Sequence, residues 1–448
     1  VTQKYALLRL AGPIILAQLL QCLNSLVDTV MAGQHSPVTL SQVAMGASFW
    51  IPLLVFASGL FSGLSSLSAE AFGARASKVS QKLLCAGLVS AFILSFVVLF
   101  LLFNVGMILP LFKVPIDLAN GIVDYVCMVA IGFPGLLVFA ALRGWVEGLH
   151  RTSLAMIAAA LSVALNVPLN YIFIFGWGII PELGAKGAGI ATALASYVYP
   201  LAMLWLFRRD HQVMSLIPSW RGLWRQFDLT TLKRVFTIGL PLGFAGFVEA
   251  SFFCVIAVML APLGAISVAA HQITLNISSM MFMVPLGLNF AITVAVGRAI
   301  GEGQSALQVR RIISTGLRYA LIFALASCTF IVMLNHKIPL LYTSDDHVIA
   351  LASGLLLWAG LFQIADGLQV VMFGALKGLQ DTLVPLIITL CAYWLLGASL
   401  GYSMTFFESF GAFGAKGAWI GLNIGLGFAL IGFSWRLKVV FNRRFTPY

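Results

Sequence analysis

Twelve apolar runs, each long enough to cross a bilayer, occupy most of this chain and leave little else for it to fold into. They fall at roughly 10–32, 42–68, 84–110, 122–142, 154–176, 186–207, 235–260, 268–297, 312–334, 349–373, 383–403 and 415–435. In hydrocarbon the backbone must satisfy its own hydrogen bonds, and runs this long and evenly apolar are not barrel strands. The pattern therefore predicts an all-α integral membrane protein with twelve transmembrane helices. Composition agrees. Of 448 residues 60% are hydrophobic and 9% charged, which leaves too little polar surface for a water-soluble body and excludes a soluble enzyme.

Assigning Lys and Arg to alternate sides of the twelve spans orients the chain. The side of the N-terminus receives 22 of the 26, including Lys4, Arg9, Arg75, Arg143, Arg151, Lys377 and Arg443; the other side receives Lys113, Lys186, Lys337 and Lys416. Both termini are thus expected in the cytoplasm. The net charge of +11 is spread over these short clusters with no phosphate-binding or base-stacking motif, so no nucleic acid is expected. In the longest polar connection, 208–234, Trp220 and Trp224 beside Arg221 and Arg225 suggest an amphipathic segment lying on the lipid bilayer. Six cysteines stand singly in apolar stretches and read as small buried hydrophobes rather than disulfides or metal ligands. The first apolar run has no small-residue cleavage site after it and reads as a retained helix.

The two halves repeat. Gly184 to Ala188 reads GAKGA and so does Gly414 to Ala418; the same offset pairs Gly144, Gly148, Leu149 and Thr152 with Gly374, Gly378, Leu379 and Thr382. A slightly shorter offset pairs Gly12-Pro13-Ile14 with Leu240-Pro241-Leu242, and Ala71-Phe72-Gly73 with Ala299-Ile300-Gly301. Six helices per half, an even number, give both copies one orientation, so two six-helix lobes should be related by a parallel pseudo-two-fold along the membrane normal. The expected divisions are an N-terminal lobe (1–207), a cytoplasmic linker (208–234), a C-terminal lobe (235–435) and a basic tail (436–448). Paired lobes around a cavity suit alternating access.

Three acids stand in mid-span: Asp28, Glu249 and Asp366. An ionised carboxylate at a helix centre costs about 2.5–3.5 kcal/mol on insertion scales, so such residues are usually functional. Asn166 and Asn170 share a helix face, and Pro168 between them frees a backbone carbonyl, making a polar pocket suited to a carboxyl such as Asp28. Gln363 and Gln369 flank Asp366 by three residues on either side, and Glu249 with Asp366 could hold a monovalent cation such as Na+ through hard oxygen ligands. Gln272, Asn276 and Ser279 form another polar stripe following His271, suited to cavity lining, to helix–helix hydrogen bonding or, for His271, to proton relay. No nucleotide loop, nucleophile elbow, HExxH or paired-Cys motif occurs, so the chain is not expected to be an enzyme or to need a cofactor, and its energy should come from an ion gradient.

Several blocks together resemble one family. GP followed by VDTVMAG in the first helix, ALNVPLNYIFIFG in the fifth, the PELGAKGAGIAT segment, VAAHQITLNISSMMFMVPL in the eighth and ALKGLQDT after the tenth are similar to the NorM-type branch of the multidrug and toxic compound extrusion (MATE) transporters, over roughly 7–435. The resemblance implies a bacterial inner-membrane antiporter, working as a monomer, that expels cationic or amphipathic small molecules in exchange for H+ and/or Na+. It further implies that Asp28 serves proton exchange with Asn166 and Asn170 as partners, that Glu249 and Asp366 serve sodium, and that Asp345 and Asp346 contact cationic drugs. Gln272, Asn276, Gln363 and Gln369 are additional candidates for substrate contact. Phe362 departs from the pattern, since some relatives carry Tyr there and its hydroxyl is absent here. The alternative is a lipid-linked oligosaccharide flippase of the same broad superfamily, whose anionic headgroup should call for Arg or Lys inside the spans, where this chain has acids.

Overall fold

A computed structural model describes residues 2–109, 116–217, 220–343, 345–407 and 413–445. Lys113, and the side chains of Trp220, Arg221 and Trp224, lie outside what is described. Among the described residues, twelve helices are long and apolar enough to cross a membrane. They are α1 (Thr2–His35), α2 (Pro37–Gly73), α3 (Ser77–Phe103), α4 (Ile116–Gly148), α5 (Thr152–Phe175), α6 (Gly184–Phe207), α7 (Leu229–Met259), α8 (Ala265–Gly301), α9 (Ala306–Met333), α10 (Asp346–Gly378), α11 (Leu383–Phe406) and α12 (Ala415–Phe445). Most outrun the apolar stretches that predict them, because the helical hydrogen-bond ladder continues into polar flanking sequence. In α11 the middle, Leu390–Ala398, is wound as a π-helix.

The chain forms two compact units. The first is Leu16–Gly243; the second joins Val1–Ile15 to Phe244–Tyr448. The first is built around Leu60, Leu64, Phe133, Trp145 and Phe207, with the Trp145 indole donating to the Ser80 carbonyl at 3.0 Å. The second is built around Phe252, Tyr393, Trp419, Leu422 and Phe433, with Phe252 and Tyr393 stacked at 5.3 Å. Its α11 and α12 meet along glycines. A Cβ on Gly421 would lie 2.5 Å from the Gly401 nitrogen and 2.7 Å from the Gly397 carbonyl oxygen, so only glycine permits this backbone approach.

The internal repeat extends to the turns. Left-handed residues recur at its offsets: Arg75 (φ 54°) with Gly303 (φ 66°), His150 (φ 62°) with Gln380 (φ 63°) and Gly184 (φ 53°) with Gly414 (φ 58°). The backbone bonds match as well: Ala74 and Ala76 donate to Glu70 and Ala71, as Glu302 and Gln304 donate to Arg298 and Ala299, all at 2.9 Å. The first two pairs follow helix ends, where a left-handed residue is a usual way of satisfying terminal carbonyls.

The connection between the sixth and seventh spans contains two short helices, His211–Leu216 and Trp220–Arg225, and is fastened to loops of the first unit. Arg151 pairs with Asp210 at 3.2 Å, Lys82 with Asp228 at 3.3 Å and Arg234 with Glu70 at 3.0 Å. Hydrogen bonds from Thr230 and Thr231, and then from Lys82, hold the Asp228 carboxyl well below the usual carboxylate range.

Candidate functional site

In the first unit the structure brings Asp28, Asn166 and Asn170 together. Asp28, on α1, is 5% exposed, and both asparagines on α5 are fully buried. Asn170 Nδ2 donates to Asp28 Oδ1 at 2.5 Å and to Asn166 Oδ1 at 2.7 Å, which the i, i+4 spacing on α5 makes possible. Thr192 on α6 adds a contact that the sequence does not suggest: its hydroxyl lies 3.3 Å from Asp28 Oδ2 and 2.9 Å from the Ala188 carbonyl. A threonine bonded to the carbonyl four residues back is the common state of threonine in a membrane helix, so nothing in its sequence setting distinguishes it. Among the described residues, Asn24 Oδ1, Asn166 Nδ2 and Asn170 Oδ1 are buried without a hydrogen-bond partner. A buried polar atom left unpaired costs about 1–3 kcal/mol, so this pocket calls for a further polar occupant such as water or a cation's hydration shell.

The second unit holds Glu249 on α7 and Asp366 on α10. Asp366 is buried and accepts from Gln369 Nε2 at 3.1 Å; Glu249 is half-buried and feels the charges of both Asp366 and Lys377. Tyr393, buried in the π-helical part of α11, stacks on Phe252 of α7, the helix that carries Glu249. Among the described residues no group of three or more His, Cys, Asp or Glu gathers. A monovalent cation here would draw on the two carboxylates with the neutral amide oxygen of Gln369, a hard-oxygen set that fits sodium. Phe362 is buried among Phe253 (6.1 Å) and Trp419 (5.7 Å) as part of the aromatic core.

The remaining candidates disperse. Gln363 is buried and donates to the Ser278 carbonyl at 3.3 Å. Gln272 and Asn276 lie on the exposed side of α8, where Tyr342 bonds Asn276 at 3.3 Å, while His271 faces inward against Trp419 at 5.9 Å. Asp345 caps α10, its Oδ1 accepting from the backbone of His347 at 2.9 Å and Val348 at 3.3 Å; Asp346 occupies the first turn.

Two corrections concern charges at span ends. Sequence alone puts Arg143 and Lys377 in the loops and counts three interior acids; the structure buries both cations and a fourth acid. Arg143 (8% exposed) donates from Nε to Glu147 (2% exposed) at 2.7 Å and from Nη2 to Gln18 Oε1 at 2.9 Å. Lys377 donates to the Asn289 side-chain oxygen and lies over the Phe290 ring at 4.8 Å. The helices run on past the apolar stretches, so charges that look like loop residues lie within the last helical turns and fold inward. Buried cations are therefore present, and the absence of Lys and Arg from the spans no longer argues against an anionic substrate.

The MatE family model matches residues 13–172 and 241–403. The chain belongs to the MatE family. Its two matched segments begin at positions that the internal repeat pairs, one at Pro13 and the other at Pro241. The chain is 36% identical over 443 residues to a Shewanella oneidensis protein named "Probable multidrug resistance protein NorM", covering 99% of this chain and 96% of that one. It is 36% identical over 439 residues to "Multidrug resistance protein MdtK" of Cronobacter sakazakii, covering 96% and 94%. Among solved structures, the eukaryotic MATE transporter AtDTX14 superposes with a TM-score of 0.88 at 18% identity over 99% of this chain and 98% of that one. An outward-facing MATE family transporter of the MOP superfamily gives 0.87 at 22% over 98% and 96%. The MatE fold is thus common to this chain and to much more distant sequences.

Proposed function

We propose that this MatE protein is a secondary active multidrug exporter of the bacterial inner membrane, expelling cationic or amphipathic drugs in exchange for H+ and/or Na+. The names of its NorM and MdtK relatives support drug resistance as the role. The observation that carries the mechanism is Asp28, an acid buried in a membrane-spanning unit and held by neutral amide and hydroxyl groups. A carboxyl in such a setting can be neutralised by a proton or by a cation, and loading one favours loss of the other. In this reading Asp28 with Asn166, Asn170 and Thr192 exchanges protons, while Glu249 and Asp366 with Gln369 form the cation-coupling site. The lobes 1–207 and 235–435 move as the two halves of an alternating-access monomer with both termini cytoplasmic. One charge crossing 100 mV supplies about 2.3 kcal/mol, enough to drive accumulation against a substantial gradient.

The test is dye efflux from energised vesicles with sodium and pH gradients imposed separately. Asp28→Asn is expected to abolish pH-driven efflux, and Glu249→Gln and Asp366→Asn to abolish any sodium-driven component. Normal export by all three variants under both gradients would overturn the carboxylate-exchange mechanism.

A further inference from the structure

Below Asp28 a column of buried polar side chains runs through the first unit. On α1, Gln18 lies ten residues before Asp28, about 15 Å along the helix at 1.5 Å per residue. On α5, Asn170, Asn166 and Ser162 follow one another at single-turn spacing on one face, all fully buried. On α6, Thr192, Ser196 and Tyr199 do the same and are buried as well. Successive spans alternate in direction, so falling numbers on α1 and α5 and rising numbers on α4 and α6 all lead the same way. They converge on Arg143 and Glu147.

The links between levels are specific. Asn170 joins Asp28 to Asn166. Tyr199 is buried one turn beyond Ala195, the residue whose carbonyl Ser162 bonds, and its ring packs at 4.6 Å on Phe139 of α4, one turn before Arg143. Ser162 Oγ is 2.8 Å from the Ala195 carbonyl on α6, and Ser196 Oγ 2.7 Å from that of Thr192. At the far end stands the ion pair of Glu147 and Arg143, with Gln18 on the guanidinium. Burying an ion pair costs several kcal/mol per ion before mutual attraction offsets it, and a well-packed apolar pair would often serve stability as well. Its place near the α4 terminus, at the end of the column, supplies another reason to keep it.

We propose that this column is the route by which a proton leaves Asp28, with the Ser162 and Tyr199 hydroxyls as relays and Glu147 as the acceptor that passes it to water at the α4 end. The proposal rests on Asp28 being the proton-exchanging group. The Asp28 carboxyl gives up its proton and becomes a carboxylate; each hydroxyl takes one proton on oxygen and releases its own, unchanged overall. Glu147 goes from carboxylate to carboxyl and back as it protonates water. Bridging water occupies the gaps, and the unpartnered atoms of Asn24, Asn166 and Asn170 are where the upper gap would be solvated. While Glu147 is protonated, Arg143 keeps the Gln18 oxygen as an acceptor, so its charge is not left bare.

The experiment compares two readouts in proteoliposomes of the full chain. One is net drug transport driven by a pH gradient; the other is exchange of labelled for unlabelled drug at equal pH, which requires no net proton movement. Tyr199→Phe, Ser162→Ala and Glu147→Gln should each slow net transport tenfold or more while exchange stays within twofold of wild type, and Ser162→Thr should restore what Ser162→Ala loses. Because Glu147→Gln leaves Arg143 unbalanced, Arg143→Gln/Glu147→Gln is measured beside it. Wild-type net transport in Tyr199→Phe and Glu147→Gln overturns the route, as does parallel loss of both readouts, which would mark a structural role. Asp28→Asn separates the layers. If it retains pH-driven transport, the coupling reading itself fails; if it loses it while Tyr199→Phe does not, only the route fails.

Discussion

Asn170 is the residue on which the first-unit site turns, since one amide nitrogen reaches both Asp28 and Asn166. Asn170→Ala would remove that donor and leave the Asp28 carboxylate with fewer partners, and hydrogen bonds to charged groups are worth about 1.5–3 kcal/mol. The expected outcome is a rise in the pH at which drug binding is half-maximal, read by titrating ligand fluorescence, with Asn170→Gln giving partial recovery. Arg143→Ala would strand Glu147 inside the unit and should cost about 3–5 kcal/mol of stability, measured by denaturant unfolding in detergent, whereas the doubly neutral variant should cost much less. These residues differ in how far sequence reveals them. Asp28 is visible because a carboxylate in a span otherwise free of charge has no cheap explanation, and its asparagines because their spacing puts them on one face. Arg143 and Glu147 lie near the end of a span, where charge is normally solvated, so only the inward fold of the last turns of α4 exposes their role. Thr192 carries no mark in the sequence, because Ser and Thr hydroxyls in apolar helices usually bond their own backbone, and Tyr199 none, because a lone tyrosine in a span reads as packing.

Glycine and the left-handed turns govern the elements. Gly421→Val would drive a side chain into the backbone of α11 at Gly401 and Gly397; overpacking of this kind costs typically about 1–3 kcal/mol and should show as a lower thermal midpoint and poorer yield. Arg75 holds a positive φ where its counterpart in the second half is Gly303, so that half already contains the relaxed solution. Arg75→Gly should therefore stabilise the α2–α3 turn by about 0.5–1 kcal/mol, detectable as a small upward shift of the midpoint, while Gly303→Arg should do the reverse. Helix number is readable from hydropathy because the bilayer sets span length. The π-wound middle of α11 is not, since apolar residues there look alike whether the helix advances by four or by five, and its packing shows only in contacts such as the stacking of Tyr393 on Phe252.

For the whole molecule, the distribution of Lys and Arg makes a prediction that labelling can check. With both termini cytoplasmic, a cysteine introduced at Ser36 should react with a membrane-impermeant maleimide added outside intact cells, and one at Ser77 should not react until the membrane is opened. The reverse pattern would invert the orientation. Beyond orientation, the two halves agree in their turns but not in their acids: the positions that the repeat pairs with Asp28, Glu249 and Asp366 carry no carboxylate. What was duplicated and kept is the scaffold, while the chemistry diverged copy by copy. If the first-unit acid exchanges protons and the second-unit acids bind sodium, as proposed, a chain assembled from two first halves would carry two proton columns and no sodium-type site, and one from two second halves the opposite. On the proposed assignment, ion currency would be set by half rather than by molecule, and a change of currency would need alterations in only one of them.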